Sequence, residues 1–211
     1  MKESDIRFAK LLILVNGAVP LALLVWDQAH RRLGANPQNF LILTTGMMTL
    51  IFLMLTMAVT PLRKITGWNW LIQFRRMLGL YAFFYGCLHF SCFFSLDRGF
   101  SVSNTLTEML KRKYLILGST ALIAMIPLAI TSTNGMIKRL GGKRWRALHR
   151  LAYVAAMAGV IHYYMQVKAD TRLPLVFAAV LAVLLGYRLL VYQQQRKSPA
   201  PTPFIRTKPA A

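Results

Sequence analysis

Residues 74–96 read FRRMLGLYAFFYGCLHFSCFFSL, and the twenty positions after Arg75 and Arg76 carry no Asp, Glu, Lys or Arg. Crossing a hydrocarbon core of about 30 Å takes roughly 20 helical residues. Lipid offers no water to the backbone N–H and C=O groups, so a run of this length must satisfy them internally, as a helix. Its single histidine, His89, lies 14 residues beyond Arg75, which is about 21 Å of helix rise.

Five further long apolar runs flank it, at residues 8–26, 40–60, 114–131, 145–166 and 173–192. The fold expected is all-α, an integral membrane bundle of about six transmembrane helices joined by short loops. Lys2, Arg7 and Lys10 ahead of residues 11–26 imitate a secretory signal, but that run has no Ala-x-Ala exit and meets Asp27. An uncleaved first span is therefore expected. Residues 1–195 form one bundle on this reading. Residues 196–211, with Pro199, Pro201, Pro203 and Pro209, read as a disordered cytoplasmic tail. No internal repeat and no Gly-rich phosphate loop is visible.

Composition supports the membrane reading. The chain is 56% hydrophobic, has a mean hydropathy of +0.46, and carries 26 Lys+Arg against 6 Asp+Glu. The basic residues fall between the apolar runs, not along one soluble face, which argues against a nucleic-acid partner. Counted on alternate sides, 17 Lys and Arg lie with the two termini and the loops around 63–76 and 138–150, against 8 on the other side. Membrane lipid is thus the immediate surrounding, and the bias places both termini in the cytoplasm.

Carboxylates are nearly absent from the spans, so a proton pathway built on them has no material. Cys87 and Cys92, five residues apart, point about 140° away from each other on a helix and read as small buried hydrophobes. Histidine remains. His30, beside Arg31 and Arg32, belongs to a solvated loop, whereas His89, His149 and His162 fall inside apolar runs, where an ionisable ring is costly unless paired or coordinated. His89 is eight residues before Asp97 and His162 six before Lys168, so the two rings sit at similar depth on different helices. Two such rings can ligate heme iron axially, or they can be unrelated buried histidines. His149 stands 13 residues before His162, about 20 Å away and about 140° round if one helix carries both. No histidine faces it from residues 74–96; at that depth stand Arg75 and Arg76. These arginines either hold heme propionates, take a place near the iron, or mark topology.

The block Arg75-Arg-Met-Leu-Gly-Leu-Tyr-Ala-Phe-Phe-Tyr with His89-Phe90 resembles the MsrQ family of heme-binding membrane subunits in bacterial methionine sulfoxide reductase systems. So do residues 127–133 (PLAITST), residues 138–153 (KRLGGKRWRALHRLAY) with His149, His162-Tyr163, residues 60–63 and Asn36-Pro37. The resemblance implies a ferric-reductase-like transmembrane fold in the bacterial inner membrane, holding one or two heme b groups, with FMN also associated. His89, His162 and His149 are then iron ligands, and Arg75 and Arg76 cofactor-binding residues. It also implies a non-catalytic electron conduit, fed from the quinone pool or a cytoplasmic flavin reductase. The acceptor it implies is a periplasmic molybdopterin-containing methionine sulfoxide reductase subunit that repairs oxidised proteins. Where many members carry a histidine ahead of Thr-Gly in the second span, this chain has Leu43-Thr44-Thr45-Gly46. The competing reading is a b-type cytochrome acting as a ferric or other transmembrane reductase with a different partner.

Overall fold

A computed structural model describes residues 2–197 and is helical almost throughout. α1 (Glu3–Ala29) begins with Glu3 and Asp5 in its first turn, where carboxylates suit the positive end of the helix dipole, and the Lys2 amide donates to Asp5 at 2.9 Å. α2 (Pro37–Thr66) has proline at its first position and the Asn36 side chain accepting from the Asn39 amide; it stops at Gly67, whose φ of 74° a side chain would strain. α3 (Arg75–Cys92) passes into a wider π-type turn at Phe93–Asp97. α5 (Lys113–Ile130), α8 (Leu151–Gln166) and α9 (Arg172–Lys197) complete the long elements.

Among the described residues five helices are long and apolar enough to cross a membrane: α1, α2, α3 with its π-type turn, α5 and α9. Large apolar side chains such as Leu11, Val15, Ile123 and Val183 stand exposed around them, as expected of surfaces that meet lipid. The chain is thus a multi-pass membrane protein. The sixth run departs from expectation. Residues 145–148 belong to a separate short helix, α7 (Gly142–Leu148), the chain turns at His149 and Arg150, and α8 has only 16 residues, about 24 Å. His149 and His162 therefore do not share one helix, and the 140° azimuth does not apply. Two of the connections expected to be short loops are themselves helical: α6 (Asn134–Leu140), capped by Thr133, and α4 (Val102–Lys111), capped by Ser101. Of the Pro-rich tail, residues 196 and 197 continue α9 and the rest lies outside the described residues.

α2 lies along α3, and α5 along α8. The core joins Leu50, Leu53, Met54 and Met57 of α2 to Ala82 and Tyr85 of α3, Ala155, Ala156 and Val160 of α8, and Leu181 and Leu184 of α9. Ala155 and Ala156 are completely buried; such small residues let helix backbones approach closely where no water drives association. α1 buries only Gly17 and Leu24 and is fastened by polar contacts: the Tyr85 hydroxyl donates to the Gly17 carbonyl at 2.8 Å and the Tyr81 hydroxyl to that of Leu14. The bundle has a basic end, where α2 stops and α3 and α8 begin, and an opposite end where His89 and His162 lie.

Candidate functional site

His89 on α3 and His162 on α8 face each other with ring centres 6.0 Å apart and planes 82° to one another. Each ring is fixed in the same way. His89 Nδ1 lies 2.8 Å from the Ile42 carbonyl of α2, and His162 Nδ1 lies 2.6 Å from the Tyr114 carbonyl of α5. A carbonyl only accepts, so both Nδ1 atoms carry the proton and donate, which leaves each Nε2 with its lone pair. One helical turn beyond each carbonyl is a glycine. A Cβ at Gly46 would come within 2.9 Å of His89 Nδ1, and one at Gly118 within 2.8 Å of His162 Nδ1. Each ring thus rests on bare backbone of a neighbouring helix. Chain separations of 47 and 48 residues from carbonyl to ring reveal an internal repeat of geometry that no sequence similarity announces.

Both rings line one cavity of about 430 Å³ bounded by α2, α3, α5 and α8. Its depth is apolar, with Met47, Leu50, Leu122 and Met125, and its rim is polar, with Asn39, Arg98 and Arg112. Arg98 and Arg112 share Glu108 at 3.8 and 2.6 Å, and Arg98 also pairs with Asp97 at 2.5 Å. Among the described residues no three His, Cys, Asp or Glu side chains gather as a cation site. A bare metal ion would lack ligands here, whereas an iron held in a macrocycle needs just two more. Two metal–imidazole bonds of about 2 Å, added to the depth of each ring, span about 6 Å between ring centres. The donor set, the tautomers and the spacing fit a heme held between His89 and His162.

His149 is placed differently. It caps α7, stacks on Trp145 with ring centres 3.9 Å apart, and has Nε2 at 3.2 Å from the Thr131 hydroxyl. That hydroxyl already donates to the Pro127 carbonyl at 2.6 Å, so His149 Nε2 carries the proton and Nδ1 keeps the lone pair. The Trp145 indole donates to the Thr131 carbonyl at 3.0 Å, completing a clamp between α7 and the end of α5. Arg75 is half-buried and close enough to His149 for its charge to be felt there; Arg76 is exposed. His30 is exposed, packed on Trp26 and bonded to its carbonyl at 2.8 Å. Cys87 and Cys92 are free thiols. Sequence reasoning missed Gly46, Gly118 and the two carbonyls, because a backbone acceptor has no residue identity and a glycine says nothing of what rests on it. It also passed over Arg188, a charge inside α9 that belongs to neither side of the loop alternation.

Residues 42–160 match the family described as ferric reductase like transmembrane component. Over most of its length the chain is similar to proteins named protein-methionine-sulfoxide reductase heme-binding subunit MsrQ. The relative from Herminiimonas arsenicoxydans is 47% identical over 91% of this chain and 89% of its own. That from Rhodospirillum rubrum is 44% identical, covering 94% and 95% of the two chains; that from Azospira oryzae is 43% identical, covering 98% and 87%. No solved structure matches the chain.

Proposed function

The chain belongs to the MsrQ family of ferric-reductase-like transmembrane proteins, and from that premise we propose that it is the membrane electron-transfer subunit of a methionine sulfoxide reductase system. In this reading it holds heme b between His89 and His162. The observation that carries it is the facing pair of imidazoles, 6.0 Å apart and each donating Nδ1–H to a carbonyl of a neighbouring helix.

Heme b, when bound, supplies an iron centre that gains and loses one electron. His89 and His162 would hold it through Nε2. Their hydrogen bonds to Ile42 and Tyr114 make the imidazoles stronger donors and fix the ring planes. Arg98 and Arg112, at the rim, would hold its propionates through charge-assisted hydrogen bonds. The apolar depth of the cavity keeps water from the iron position. His149, with Arg75 beside it, would be the residue to hold a second heme at the basic end; Arg76, being exposed, is assigned to topology. The basic end faces the cytoplasm of a bacterial inner membrane, with donors in the quinone pool or a flavin reductase, FMN serving on that side. The opposite end delivers electrons to a periplasmic molybdopterin-containing subunit, where the sulfoxide is reduced.

Purified protein reduced with dithionite should display b-type α bands, and these should decay when a periplasmic methionine sulfoxide reductase and methionine sulfoxide are added together. A chain with no Soret band lacks the heme; bands that persist in the presence of partner and substrate rule out the proposed acceptor.

A further inference from the structure

Arg188 lies sixteen residues into α9, about 24 Å along the helix. Its Nη1 donates to the Tyr153 hydroxyl of α8, its Nη2 to the Met57 carbonyl of α2 at 2.8 Å, and its guanidinium lies 5.0 Å over the Tyr153 ring. None of these partners carries negative charge. The third guanidinium nitrogen, Nε, is buried and has no partner. Arg75, at the start of α3, is near enough for the two guanidinium charges to repel. Every ion pair among the described residues uses Asp97, Glu108 or Asp170, all toward the opposite end of the bundle. A guanidinium held at depth among helices is retained where it meets a counter-charge, and Arg, with its planar fork, is the residue suited to carboxylate and phosphate.

We propose that Arg188, oriented by Tyr153 and Met57, binds an oxyanion, the carboxylate or phosphate of a membrane-embedded molecule, between α2, α8 and α9. The Nε–H, with the second N–H of each Nη, is the donor set left for it. This requirement follows from charge balance and does not depend on how His89 and His162 are used. The same chemistry is available from a porphyrin propionate, a flavin phosphate or a phospholipid headgroup.

The test compares detergent-purified wild type with Arg188→Gln and Arg188→Lys, each checked for helical circular dichroism and monodisperse elution. Heme per chain is measured by pyridine hemochromogen, flavin by fluorescence after denaturation, and retained anionic phospholipid by native mass spectrometry. The expected result is that Arg188→Gln loses at least half of one of these three, with Arg188→Lys partly restoring it; which one falls identifies the source. Should Arg188→Gln not accumulate, Tyr153→Phe removes only the orienting phenol and should lower the same content. Wild-type content of all three in Arg188→Gln, or in Tyr153→Phe where that variant stands in for it, would overturn the proposal. So would a wild type that carries no anionic molecule at all. Loss of flavin or lipid with the heme bands intact would uphold this site whatever the fate of the histidine reading.

Discussion

At the scale of single residues, the site turns on what lies behind each histidine. A ring near a metal is only as well placed as the group that holds its other nitrogen, and disturbing such an outer partner typically costs about 10- to 100-fold in metal affinity. His89→Ala and His162→Ala should each abolish the low-spin b-type spectrum of the site, as read by pyridine hemochromogen and dithionite difference spectra. Unchanged heme content in both would show that other residues bind the iron. Gly46→Ala and Gly118→Ala are the finer probes. A methyl group 2.8 to 2.9 Å from a ring nitrogen cannot be accommodated unless the ring or the helix moves, so heme affinity should fall by about 10- to 100-fold with both ligands still present. Titration of heme into apoprotein measures this, and wild-type affinity in both variants would mean that the close approach does not set ring position. The histidines were legible because an ionisable ring in an apolar run has few innocent explanations. Their supports were not, since Gly46 and Gly118 lie 43 and 44 residues before the rings they carry and acquire meaning only when α2 meets α3 and α5 meets α8.

At the scale of elements, hydrophobic length gave the long helices, and tertiary contacts set the boundaries it misplaced. Residues 145–150, WRALHR, contain nothing that breaks a helix, and a continuous span from Trp145 was the natural reading. The chain turns there because Trp145 and His149 are both tied to Thr131 at the end of α5, a partner distant in sequence. α4 was hidden for another reason: VSNTLTEMLK is too short and too polar to register as a span, and its start rests on the Ser101 cap. The short α8 compensates for its 16 residues by burying Ala155, Ala156, Ala158 and Val160. Close packing of that kind leaves no room for growth, and overpacking a filled core typically costs 1–3 kcal/mol. Ala156→Leu should therefore destabilise the purified protein by about 1–3 kcal/mol, seen as a lowered thermal midpoint in detergent. Val183→Ala, at a position 71% exposed toward lipid, should leave that midpoint unchanged, and equal effects from the two would mean that α8 is not the packed centre of the bundle.

At the scale of the whole molecule, the distribution of charge decides which way the two ends face. Seventeen Lys and Arg against eight is a strong bias, and the count over short loops orients a bundle more reliably than any single helix. Acidic groups add little to that rule, yet they matter for function: Asp97, Glu108 and Asp170 all lie at the less basic end, where Glu108 tempers Arg98 and Arg112 at the cavity rim. The basic end has no such counterweight among the described ion pairs. An electron path that enters at that end and leaves past His89 and His162 therefore requires cytoplasmic termini. A fluorescent protein fused after Ala211 should glow in intact cells, while alkaline phosphatase at the same place should be inactive and the same enzyme inserted after Lys168 should be active. The opposite pattern would put the facing histidines on the cytoplasmic side, and the direction of electron flow proposed here would have to be reversed while the heme site itself stood unchanged.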